Sequence, residues 1–312
     1  MKYLFFLILC IGIRSSLYSQ EQTVVFHQQD GSTKVYKMSD VESFNFIKSD
    51  TTSWMYIYQN DLPSIFKVKS VDSLNFSPDN QSLNVCWNGQ VIKIDLSKID
   101  KVEIKKEKLL NDYECITIGN QVWMLRNLDV DHYRDGEPIY QINNQPEWQK
   151  MTAAAWCYYN FDSTNGEKYG RIYNGYCLGS RHGLVPEGWH VATDGEWKEL
   201  EIYLGMIPEE ANTAGWRGLE ENTGGKLKET GTINWLDPNV GATNESGFTA
   251  LPGGGCNTNG VQRYIGEHIT FWTYSKSGSE YAVIRRIYSG FQHIYRVSFL
   301  KRNGCYIRCV RD

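Results

Sequence analysis

The stretch PEGWHVATDGEWKELEIYLG (186–205) decides the reading of this chain. Thr193 and Glu196 stand in T-x-x-E spacing, so each can satisfy an orphan amide at a helix start. Trp197 follows at once, Leu200 and Leu204 fall three and seven residues later with Tyr203 beside them, and one face is apolar. Gly205 lies where a helix stops in a left-handed conformation. On this reading Glu196 is a cap, Trp197 is core, and Glu199 and Glu201 are solvated flank. His190 sits in a strand, Trp189-His190-Val191, that feeds the cap, and is expected to pack or hydrogen-bond rather than act as a base. The stretch is structural, and no catalytic residue is assigned.

The chain has 312 residues, enough for two domains with cores. Its 20 Tyr, 10 Trp and 28 Gly favour short strands and loops over a helical bundle. MKYLFFLILCIGIRSSLYSQ (1–20) reads as a secretory signal, with Lys2 as the charged start and Tyr3 to Ile13 as the apolar run. Cleavage near Ser19 makes residues 1–19 the signal peptide. Leu9 occupies the place where a lipidated Cys10 would need a small residue. The apolar run is too short to span a bilayer and no later one is as long, so no membrane span is expected. The expected address is periplasmic, cell-surface or extracellular.

Losing Lys2 and Arg14 takes the formal charge from −4 to −6. A mildly acidic chain without a basic block argues against nucleic acid as partner. Cys86, Cys115, Cys157, Cys177, Cys256, Cys305 and Cys309 remain after cleavage. Disulfides persist outside the cytoplasm, and an odd count leaves one thiol over. No zinc-site spacing of Cys or His occurs, and no metal or cofactor is expected. GGGCNTNG (253–260) lacks the lysine and strand-to-helix setting of a phosphate loop.

Residues 23–106 repeat themselves. VVFHQQDGSTKVYKMSDVESFNF, MYIYQNDLPSIFKVKSVDSLNF and LNVCWNGQVIKIDLSKIDKVEI align Val41 with Val71 and Ile99, and Phe44 with Leu74 and Val102. Each unit predicts a hairpin, a single helical turn and a closing strand. Ser39 and Ser97, each three residues before a carboxylate, are the expected caps of those turns. One unit buries too little alone, so the three are expected to stack. They resemble the N-terminal strand repeats of exported Bacteroidetes-type proteins, which implies a spacer or docking role. KKEKLLNDYE (105–114) carries no repeat and reads as the boundary.

From Cys115 to Asp312 the chain resembles the Fibrobacter succinogenes major paralogous domain family. The carrying stretches are IGNQVWMLRNLDV (118–130), AWCYYNFD (155–162), YGRIYNGY (169–176), PEGWHVATDGEW (186–197), GGKLKETGTINW (224–235), PNVGATNESGFTALPGGG (238–255) and IRCVRD (307–312). The resemblance implies an α+β, C-type lectin-like domain over 111–312, with long loops and adjacent N- and C-terminal strands. VATDGEW resembles the signature of sulfatase-modifying enzymes on that fold. Some of those enzymes bind copper through two cysteines, but Cys305 and Cys309 match a closing strand rather than that site. Asp237-Pro238-Asn239 resembles the E-P-N loop of calcium-dependent lectins without the rest of its motif.

Members of the family often carry a cysteine before P-x-G-W-H, paired with the one in R-C-V-R; here that position is Val185. Cys309 then needs another partner among Cys157, Cys177 and Cys256, or none, and Cys256 with Cys305 is a candidate private pair. The expected function is an exported, non-catalytic surface or periplasmic protein with a lectin-like recognition or scaffold module that binds a glycan or a protein. The alternatives are an enzyme on the same fold or a structural part of a surface assembly. Lectin-like folds recognise through the loops corresponding to Trp216–Tyr274. The expected contact residues there are Trp216, Trp235, Tyr264, Tyr274, Asn257 and Asn259, while Trp189, Thr193, Glu196 and Trp197 hold the fold and Trp272 is core.

Overall fold

A computed structural model describes residues 11–12, 23–27, 33–37, 43–45, 54–59, 62–77, 81–99, 101–105, 113–276 and 279–312. Apart from Ile11–Gly12, a two-residue strand beside Lys101–Lys105, the stretch read as an export signal lies outside the described residues. So does the expected Ser39 cap. The chain divides into two compact units, Met1–Val122 and Trp123–Asp312.

In the first unit the repeats become hairpins: Thr23–His27 with Thr33–Lys37, Trp54–Gln59 with Leu62–Lys67, and Ser82–Trp87 with Gln90–Asp95. Asn88 and Gly89 both take positive φ, at 48° and 76°, as a two-residue hairpin turn demands. Single helical turns follow the second and third hairpins, at Val68–Ser70 and Leu96–Lys98. Asp95, not Ser97, caps the latter: its carboxylate accepts from the Ser97 amide at 2.9 Å. Closing strands then cross between repeats. Ser43–Asn45 pairs with Val71–Phe76, which pairs with Ser82–Trp87, while Lys101–Lys105 pairs with Trp54–Gln59. The second and third repeats thereby bury apolar side chains they could not cover alone, Ile57, Leu74, Val85 and Ile92 among them.

The stretch read as the boundary, 105–114, ends at a residue held by the repeats. Glu114 is buried and accepts from Trp87 Nε1 at 3.1 Å, and Cys115 of the next strand lies opposite Ile65.

The second unit is a mixed α+β structure dominated by strands. Its one ten-residue helix, α1 (Asp194–Tyr203), starts with the reciprocal Thr193/Glu196 box. Trp197 from this helix, Trp123, Phe248 and Phe271 form a ring cluster with centroids 5.0–5.8 Å apart, each ring fully buried. Around it run β1 (Gly215–Arg217), β2 (Gly255–Cys256), β3 (Gln262–Arg263), β4 (His268–Lys276), β5 (Tyr281–Tyr288), β6 (Ile294–Leu300) and β7 (Gly304–Ile307), in the sheet order β7-β4-β5-β6-β1 with β2 joining β7 to β3. Trp123 of strand Gln121–Met124 pairs with Val310 of Cys309–Arg311, so strands from the two ends of the family-like region are adjacent, as the resemblance implies.

Glu201 corrects the sequence reading. It is fully buried, because Arg217 from β1 reaches it with two bonds of 2.7 and 2.8 Å and Arg285 from β5 with one of 2.6 Å. Arg285 and Arg296 also hold Asp194 at 2.7 Å. Burial pushes the Asp194 carboxyl up, but these guanidiniums outweigh it and hold the group well below the usual range. Tyr203, placed on the apolar face by its spacing, is 53% exposed.

Candidate functional site

Alternation along a strand sends neighbours to opposite sides, and the register of β4, β5, β6 and β1 therefore sorts their side chains. Phe271, Arg285 and Arg296 make one row, turned toward α1 and its carboxylates. Thr270, Arg286, Tyr295 and Trp216 make the adjacent row, on the opposite face.

Trp216 is 46% exposed and sits among four rings: Tyr288 at 5.2 Å, Phe291 at 5.0 Å, His293 at 4.4 Å and Tyr295 at 4.8 Å. Their planes cross the indole at 48° to 79°, so none of them covers it by stacking. Phe291 is itself 43% exposed. The result is a contiguous aromatic surface in which tilted and edge contacts leave nearly half of the indole exposed.

The same face ends in a cavity of about 280 Å3 bounded by β2, β3, β4, β5 and the start of β7. Asn257 and Tyr264, both expected contact residues, line it. The Asn257 carboxamide accepts from the Asn259 and Val261 amides at 2.9 and 3.0 Å and shapes the loop, while Asn259 stands exposed on that turn. Tyr264 takes φ +71°, unusual for a bulky residue, and presents a half-exposed ring 5.2 Å from His268. Tyr274 is exposed too, further along β4.

Trp235 does not belong to this surface. It is 1% exposed, and its indole donates to the Ala250 carbonyl at 2.9 Å. That burial corrects its assignment as a contact residue. Trp272 is core, donating to the Tyr173 carbonyl at 2.9 Å.

Trp189 and Trp197 are buried core side chains, and Thr193 and Glu196 serve the helix start. His190 bridges Glu196 at 2.6 Å and Asp312 at 2.7 Å, and the Glu196 bond holds its imidazole protonated to higher pH than usual. Asn239 of the Asp-Pro-Asn stretch is buried and donates to the Glu229 and Gly231 carbonyls. Among the described residues no group of three or more His, Cys, Asp or Glu is placed to hold a metal ion, and no helix is long and apolar enough to cross a membrane.

The cysteines depart from the expected pairing. Cys86, Cys115, Cys157, Cys177, Cys256, Cys305 and Cys309 are all free thiols in the structure. Burial first, and the neighbouring Cys256 second, push the Cys157 thiol well above its ordinary range, and Gln262, opposite Cys256 across β2 and β3, donates to Cys157 Sγ at 3.5 Å. Cys309 and Cys177 are packed in the interior, where burial pushes the thiol of Cys177 up to about 12.

Of the expected contact residues, Trp216 is exposed on this face and Tyr264 and Asn257 line the cavity, which His268, Thr270 and Arg286, not singled out by the sequence, line as well. Their signal is the two-residue alternation of His268 with Thr270 on β4 and of Arg286 with Tyr288 on β5, which only strand pairing brings side by side.

The fold and this surface define an α+β domain with an exposed aromatic and cationic face. Residues 116–311 match the Fibrobacter succinogenes major domain, and the chain belongs to that family. No curated protein and no solved structure matches the chain.

Proposed function

We propose that residues 116–311 form a lectin-like, non-catalytic recognition module of an exported protein, and that it binds saccharide chains across the Trp216 surface. The observation that carries this reading is the half-exposed indole of Trp216 set among four rings, His293 edge-on and Tyr288, Phe291 and Tyr295 tilted. Flat aromatic area with little side-chain entropy to lose suits the apolar faces of sugar rings. A non-catalytic role is supported by the engagement of His190, whose two ring nitrogens are both taken by carboxylates, one of them the helix cap. The first unit then serves as the spacer that presents the module, and the charged start and apolar run at residues 2–13 support export.

The test is a glycan array with the purified protein, followed by titration of each hit against Trp216→Ala. The variant is expected to keep the wild-type melting temperature and lose at least tenfold in affinity. Trp272→Ala, a core truncation, is the contrasting control and is expected to cost about 3–5 kcal/mol of stability. Unchanged binding by Trp216→Ala, or no glycan bound at all, would refute the reading.

A further inference from the structure

The cavity at the end of the Trp216 face has a charge balance that the aromatic surface does not explain. Its lining includes Arg263 and Arg286 and contains neither Asp nor Glu. Arg286 lies on the front row, directly between Thr270 and Tyr295. Its guanidinium donates from Nε to Thr270 Oγ1 at 2.7 Å and from Nη1 to the Tyr288 hydroxyl at 3.3 Å, and stacks near Phe299 at 5.1 Å. Those bonds use two of the five N–H groups an arginine carries. No carboxylate pairs with Arg286 or Arg263 among the described residues. On the opposite face of the same sheet, by contrast, Arg217, Arg285 and Arg296 are each matched to Glu201 or Asp194.

His268 supplies a second, independent observation. It is 94% buried by its 6% exposure, and its imidazole makes no hydrogen bond among the described residues. Its Nε2 faces the cavity beside Gly255, where an added Cβ would lie 3.9 Å from it. Burial, reinforced by the charge of Arg286, lowers its pKa to about 3, so the ring is neutral at pH 7 and offers one N–H donor and one acceptor. A guanidinium with spare donors, a neutral imidazole without a partner and a threonine hydroxyl converge on one small space. At about 280 Å3 it lies near the lower end of ligand cavities, which suits one ring-sized group rather than a large ligand.

We propose that this cavity is a subsite for the acidic group of a charged saccharide, a uronate carboxylate or a sugar sulfate, with the neighbouring sugars laid over Tyr295 and Trp216. Arg286 is the principal anion donor, Arg263 screens the charge from the rim, and His268 and Thr270 orient the group. Adjacent strands are about 4.8 Å apart, so Arg286 and Trp216, two strands away in the same row, span roughly 10 Å, within the length of a short oligosaccharide. The proposal rests on the saccharide reading above and narrows it to acidic chains.

The experiment is calorimetric titration of the full chain with three tetrasaccharides: an oligogalacturonate, a sulfated glycosaminoglycan fragment and neutral cellotetraose. A phosphoserine peptide serves as a fourth probe. At least one acidic tetrasaccharide is expected to bind ten times or more tighter than the neutral one. The uronate and sulfate arms tell which acid fits. Arg286→Gln is expected to abolish that preference, and Trp216→Ala to weaken acidic and neutral chains alike. Arg263→Gln, at an exposed position where folding is not at stake, is expected to reduce the preference about threefold and keeps the test valid if Arg286→Gln fails to fold. Equal binding of acidic and neutral chains overturns the subsite and leaves the saccharide reading standing. Tighter binding of the phosphopeptide than of either acidic saccharide also overturns it. Binding of none of the saccharides removes both readings together.

Discussion

Glu201→Ala is the most severe perturbation the second unit offers. The carboxylate is fully buried and is shared by Arg217 and Arg285, which are fully buried as well. After its removal Arg285 keeps Asp194 at 2.7 Å, whereas Arg217 retains the Ala211 carbonyl at 3.0 Å as its hydrogen-bonding oxygen partner. One buried guanidinium is thus left without a counter-charge. Breaking a buried pair on one side costs about 3–5 kcal/mol. For a unit of this size that is a fall of roughly 6–20 °C in melting temperature.

Denaturant unfolding followed by tryptophan fluorescence reads the change directly, since Trp197 lies on the same helix. Replacing both partners, as Glu201→Leu with Arg217→Met, removes the stranded charge and is expected to cost less than Glu201→Ala alone. A loss below about 1 kcal/mol for Glu201→Ala, the range of a solvated surface pair, would refute the account of this network.

Two further outcomes follow from the pairings described. His190 has its pKa raised chiefly by Glu196, so its bonds stabilise the fold fully below the ordinary histidine pKa and less as pH rises through the elevated value. The melting-temperature gap between wild type and His190→Gln is accordingly expected to narrow between pH 6 and pH 8.5, and a gap independent of pH would exclude the effect. In protein incubated with oxidised glutathione, non-reducing peptide mapping is expected to find Cys157 bridged to Cys256, with two equivalents of reduced glutathione released; a Cys256–Cys305 bridge instead would contradict the placement of these thiols.

What the sequence disclosed depended on how local its causes were. Thr193, Glu196 and Trp197 act within one turn of helix, and their spacing sufficed. Trp216 stood apart from the family stretches and proved exposed. Glu201 was misread as solvated because its partners lie 16 and 84 residues away, beyond any helical or strand period. Trp235 was misread because an indole looks alike in a core and at a surface until the Ala250 carbonyl that accepts its N–H is known. The cavity needed the pairing of two strands and the glycine of β2 beside His268, none of which composition or spacing discloses.

Arg285 and Arg286 are consecutive residues of β5 with opposite fates, one clamped by Glu201 and Asp194 and the other facing the cavity. Sliding β5 by a single residue would exchange them, leaving a bare cation in the interior and removing one from the cavity. The carboxylates behind the sheet therefore act as a detent for strand register. Through them α1, which packs behind the sheet, fixes which side chains face the cavity, so damage to this network should alter the opposite face of the sheet before it abolishes folding.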